Sequence, residues 1–129
     1  GVFGAAGKAP ELYQPAEYLA AFAWIRANTP VDALIFTGPE TGLYVPAMTG
    51  RRVLYGHPYE TANAEKQQAL VEGYFTGKTD SAQLLTTQPV DYVLVGSRER
   101  KYGNIGQPPG FVSVFQQGDT NIYQRGLNP

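Results

Sequence analysis

An α/β fold is predicted for this chain: a three-layer, Rossmann-like sheet, mostly parallel, extended by a C-terminal antiparallel hairpin. Three observations carry the prediction. A short continuous apolar run at residues 33–37, ended by Gly38-Pro39, has the pattern of a strand covered on both faces, and the segments 52–55 and 90–95, each followed by Gly, read as further strands. Segments with helical apolar spacing alternate with them, which favours parallel strands joined by crossovers. The last two apolar runs flank Gly118-Asp119, a hairpin signal.

The first helix is expected over residues 15–28. Pro15 suits the opening position because its missing N–H has no partner there. Leu19, Phe22, Ala23, Ile25 and Arg26 follow on one stripe. Asn28-Thr29-Pro30 ends it, since the residue before Pro is driven out of the helical region. The strand 33–37 stops at Gly38-Pro39, and residues 40–48 read as a short helix or turn. The strand 52–55 runs to Gly56. A second helix is expected from Thr61 to near Gly77, with Ala64, Ala69, Leu70, Val71, Tyr74 and Phe75 on one side. A third, capped by Thr79 or Asp80, ends at Gln88-Pro89 ahead of the strand 90–95. Residues 103–110, with three Gly and two Pro, form a loop. Right-handed crossovers then place the first and third strands side by side, the second outside, and the hairpin on the other edge.

Length and composition bound the rest. The 129 residues suit one domain, residues 15–129, preceded by an irregular segment 1–14; a chain of this size buries about two-thirds of its unfolded surface. Charged residues are 16%, and the net charge is −1, which gives no electrostatic footprint for nucleic acid or an anionic membrane. The basic cluster from Arg98 to Lys101 around Glu99 reads as a solvated loop. No cysteine is present, excluding disulfides, thiolate metal sites and a cysteine nucleophile. No run is long and apolar enough for a membrane span. The ends of the sequence read as those of an excised, soluble piece or of a small protein left with Gly1 by processing or tag removal.

In parallel sheets ligands bind beyond the carboxyl ends of the strands. Three loops fall there, each opening on Gly: 38–42, 56–61 and 96–100. The candidate ligand-binding residues are Glu40, Thr41, His57, Tyr59, Glu60, Ser97 and Arg98. Glu40, Glu60 and His57 have the residue types of an acid–base set or a metal site, yet loop carboxylates before helices serve equally as caps. The glycine spacing of a dinucleotide site, the phosphate-loop Lys and the nucleophile elbow are all missing, so no catalytic residue, cofactor or metal is assigned. Trp24 is expected to cover core. Tyr44, Tyr55, Tyr59 and Tyr102 lie in or beside the same loops, where hydroxyl-tipped rings suit a carbohydrate or a partner surface.

A resemblance rests on Trp24-Ile25, Pro30-Val31-Asp32-Ala33, Gly38-Pro39-Glu40-Thr41-Gly42, Tyr44-Val45-Pro46 and Thr49-Gly50-Arg51-Arg52-Val53. It continues through Gly56-His57-Pro58-Tyr59-Glu60-Thr61, Lys66, Tyr74-Phe75, Asp91-Tyr92-Val93, Gly96, Arg98, Glu99 and Asn121-Ile122-Tyr123. This set resembles the C-terminal soluble domain of bacterial polytopic membrane proteins similar to polyprenyl-phosphate-dependent glycosyltransferases of the GT-C, protein mannosyltransferase-like type. The resemblance implies a domain facing outside the cytoplasm, with the membrane-embedded part of the same polypeptide as partner and a carbohydrate or lipid-linked sugar as ligand. Catalytic carboxylates of such enzymes lie in the membrane part, so none is carried onto this chain. The resulting expectation is a non-catalytic accessory domain. The alternatives are a small enzyme acting on a sugar or phosphorylated metabolite, with Glu40 or Glu60 as base, His57 as acid and Arg98 holding an anion, and a protein-interaction module.

Overall fold

The computed structural model describes residues 16–54, 73–76, 85, 89–103 and 107–126. In chain order the elements are α1 (Ala16–Asn28), β1 (Leu34–Phe36), α2 (Pro39–Gly42), α3 (Val45–Thr49), β2 (Arg52–Val53), β3 (Tyr92–Val95), α4 (Ser97–Arg100), β4 (Phe111–Gln117) and β5 (Thr120–Arg125). Residues 73–76 and 85 are helical. They fall within the helices expected over 61–77 and 79–88, whose remaining parts lie outside the described residues, as do segment 1–14, Tyr55, His57, Tyr59 and Glu60.

The fold is a mixed α/β arrangement around one five-stranded sheet of order β2-β1-β3-β5-β4. Pairing of β1 with β2 and with β3 is parallel, and β5 runs antiparallel between β3 and β4. The sheet is thus parallel at one end and antiparallel at the other, so the mostly parallel sheet expected from the sequence holds only for β2-β1-β3. The expected neighbours are present, with β1 beside β3, β2 outside and the hairpin on the far edge.

The continuous apolar strands are buried on both faces. Leu34, Ile35 and Phe36 of β1 are all buried, as are all four residues of β3. Alternation sends Ile35, Tyr92, Leu94 and Ile122 into one cluster with Tyr18, Ala21, Phe22 and Ile25 of α1. Leu34, Phe36, Val93, Val95 and Tyr123 enter a second cluster with Tyr74, Phe75 and Leu85. Each such side chain contributes about 1.5–3 kcal/mol on full burial. In the second cluster Phe36 stacks on Phe75 at 5.3 Å and meets Tyr74 edge-on at 4.9 Å.

α1 departs from the expected stripe. Its buried face is Tyr18, Ala21, Phe22 and Ile25, while Leu19 is 44% exposed and Ala23 and Arg26 also face outward. The helix is turned by about one residue, some 100°. This rotation puts the largest ring of the face, Tyr18, fully inside, where its hydroxyl meets a buried carboxylate. Trp24 sits at the cluster's rim, 6.2 Å from both Tyr92 and Phe115, covering core as expected.

The segment read as a solvated loop after β3 is a turn of helix, α4, and Glu99 within it is fully buried. Its three basic neighbours do not share that fate: Arg98 and Arg100 are half-buried and Lys101 is exposed. In a single helical turn one residue of four faces inward, so charge content alone misplaced the segment. The hairpin turn places Gly118 at φ 59°, a left-handed value open to glycine. Beside it the Thr120 hydroxyl donates to Glu17 Oε1 at 3.0 Å, tying the turn to α1.

Candidate functional site at the strand ends

The carboxyl ends of β1 and β3 lie side by side because the two strands pair in parallel, with Ile35 opposite Tyr92 and Phe36 opposite Val93. The backbone leaving each strand passes through a glycine, Gly38 and Gly96, and enters a short helix, α2 and α4. Glu99 projects back between them. Its Oε1 accepts from the Gly96 N–H at 2.9 Å and from the Tyr18 hydroxyl at 2.5 Å. Its Oε2 accepts from the Gly38 N–H at 3.2 Å. The Thr37 hydroxyl directs its proton to the Leu94 carbonyl at 2.8 Å, with Glu99 Oε2 the longer second acceptor at 3.3 Å.

Tyr18 completes the knot. Its hydroxyl accepts the Arg98 N–H at 3.0 Å while donating to Glu99. Burial, reinforced by the Glu99 carboxylate, pushes the phenol well above its usual range, so it is a proton donor at any physiological pH. Both glycines are needed for space. A Cβ on Gly38 would stand 2.6 Å from Glu99 Oε2, and one on Gly96 would stand 2.5 Å from the Tyr18 hydroxyl.

Above this knot lie the groups the sequence singled out. The Arg98 guanidinium lies over the Tyr18 ring at 4.6 Å and the Tyr44 ring at 5.5 Å, and its Nη1 donates to Thr41 Oγ1 at 3.4 Å. The Tyr102 hydroxyl donates to Glu40 Oε1 at 3.0 Å. Glu40 is exposed, Thr41 is fully buried, and Ser97, Arg98, Tyr44 and Tyr102 are half-buried. The fold therefore brings Glu40, Thr41 and Arg98 together with Tyr44 and Tyr102, and Ser97 opens α4 beside them. His57, Tyr59 and Glu60 lie outside the described residues.

Glu99 and Tyr18, the centre of the network, were absent from the sequence-based candidates. Two signals pointed to them. Residues 18, 21, 22 and 25 have the i, i+3, i+4, i+7 spacing of a buried helix face, and Gly96 to Glu99 has the spacing by which a side chain at the third helical position reaches back to the cap N–H.

A groove of about 420 Å³ lies at the opposite, amino-terminal ends of the strands, lined in part by Asp32, Arg52, Asp91, Tyr92 and Arg125. Three of its polar side chains engage the chain's own backbone. Arg52 donates to the Asp32 carbonyl, Asp91 accepts the Leu34 N–H, and Arg125 donates to the Val90 and Leu85 carbonyls. Among the described residues no group of three or more His, Asp or Glu is placed to hold a metal ion, and no helix is long and apolar enough to cross a membrane. No protein-family model matches the chain, and no curated protein matches it.

Proposed function

We propose that this chain is a non-catalytic, extracytoplasmic accessory domain of a polytopic membrane protein resembling polyprenyl-phosphate-dependent glycosyltransferases, contacting a glycan or acceptor at the strand-end face. One observation carries the reading: two half-buried tyrosines, Tyr44 and Tyr102, flank Arg98 and Glu40 in a single connected set. Rings with hydroxyl tips beside a cation and a carboxylate suit a polyhydroxylated ligand, which stacks its C–H faces on the rings and exchanges hydrogen bonds with the polar groups. Within this set Glu40 accepts from the Tyr102 hydroxyl and Arg98 donates to Thr41.

The fold belongs to the same proposal. We read the sheet as the middle layer of a three-layer, Rossmann-like arrangement, supported by the apolar clusters on its two faces, one beneath α1 and the other containing helical Tyr74, Phe75 and Leu85.

The test is an NMR titration of the 129-residue chain with oligosaccharides and a short-chain polyprenyl phosphate sugar. Shifts are expected for Tyr44, Arg98 and Tyr102, with affinity reduced tenfold or more in Tyr44→Ala. No shift of these residues with any of the ligands, or a parent gene encoding no membrane spans, overturns the reading.

A further inference from the structure

The Glu99 carboxylate is fully buried and uses both its oxygens on groups of its own chain, two of them the N–H groups of Gly38 and Gly96. These N–H groups leave the carboxyl ends of two adjacent parallel strands, the position where such sheets offer free donors to a ligand's anionic group. A carboxylate bound by backbone N–H groups and a phenol satisfies those donors with charge-assisted bonds. The two glycines fit the same purpose, since a Cβ at either would collide with Glu99 or Tyr18.

We propose that Glu99 is a built-in anion. It occupies, from within the chain, the place between β1 and β3 that the phosphate or carboxylate of a ligand would otherwise take. The native crevice is accordingly closed to external phosphate, and truncating the side chain creates a site for a small carboxylate lined by the Gly38 and Gly96 N–H groups and the Tyr18 hydroxyl. The inference is independent of glycan contact at Tyr44 and Tyr102, because it concerns the donors beneath that face.

The experiment follows the Gly38 and Gly96 amide resonances and the thermal midpoint of the full chain during titration with inorganic phosphate, formate and acetate. In the wild type neither amide is expected to move with any of the three. In Glu99→Ala, formate and acetate are expected to shift both amides and raise the midpoint saturably by several degrees, while Glu99→Gln, which keeps the volume filled, shows no such rise. Should Glu99→Ala be unfolded in buffer alone, the same anions are expected to restore the folded spectrum. Movement of the wild-type amides with phosphate overturns the proposal. So does a Glu99→Ala chain that neither responds to nor refolds with formate or acetate while Glu99→Gln is folded.

Discussion

At the scale of single residues, the Tyr18 side chain ties α1 to both Glu99 and the Arg98 backbone. Removing only its oxygen in Tyr18→Phe deletes the hydrogen bond from the Arg98 N–H and takes from the buried Glu99 carboxylate its closest donor. An unsatisfied buried group costs about 1–3 kcal/mol, so a loss of that size is expected in urea denaturation with an unchanged slope. Two glycines separate crowding from backbone strain. Gly96→Ala drives a Cβ to within 2.5 Å of the Tyr18 ring carbon and hydroxyl, whereas at Gly50, at φ 72°, nothing stands within 4 Å. Gly50→Ala is expected to cost about 1–2 kcal/mol from left-handed strain alone. Gly96→Ala is expected to cost more, because the crowded ring is itself pinned by Glu99, and comparing the two midpoints checks the order.

At the scale of elements, Arg51 fastens the end of α1 to the end of α3. Its Nε donates to Thr29 Oγ1 at 2.8 Å, Nη2 to the Thr29 and Arg26 carbonyls at 2.9 and 3.1 Å, and Nη1 to the Thr49 carbonyl at 3.0 Å. Helix C-termini leave carbonyls without intrahelical donors, and one planar guanidinium supplies several at once. Arg51→Ala is expected to lose about 1–3 kcal/mol and to speed hydrogen exchange in the last turn of α1. Arg51→Lys is expected to recover little of it, because a single ammonium cannot reach all the acceptors that the guanidinium fork spans.

At the scale of the whole molecule, both apolar clusters hold buried phenols, and these set the response to alkali. Burial, with a smaller contribution from Tyr123, pushes Tyr74 up to about 12; burial also raises Tyr92, and burial with the Glu99 carboxylate raises Tyr18. A phenol held neutral in the fold ionises near pH 10 once unfolded. Its contribution to stability is therefore complete below about pH 10 and is lost as pH rises through the folded value. The denaturation midpoint is expected to stay level from neutrality to about pH 9 and to fall between about 10 and 12, with a shallower fall in Tyr74→Phe. A midpoint that falls equally steeply in the variant excludes Tyr74 as a source.

The sequence by itself determined the strand sites and the parallel-to-antiparallel change, because these rest on local information: runs such as Val93-Leu94-Val95 closed by Gly96, Pro30 ending α1, and the Gly118-Asp119 turn. The crossover rule set β1 beside β3 with β2 outside, and the structure decided that β5 rather than β4 pairs with β3. It also brought out Glu40, Thr41 and Arg98, since loops after parallel strands must converge. Only the tertiary structure decided which face of α1 is buried and that Glu99 is internal. A helix offers several nearly equivalent apolar faces, and the sheet it packs on selects one; the chosen face turned Tyr18 toward the strand ends. A carboxylate flanked by Arg98 and Arg100 reads as solvated until two glycine N–H groups and a phenol, contributed from positions as distant as 18 and 38, are seen to surround it. The local spacing from Gly96 to Glu99 names one partner, but Gly38 and Tyr18 are supplied by long-range folding, and burial of the charge is settled by all of them together.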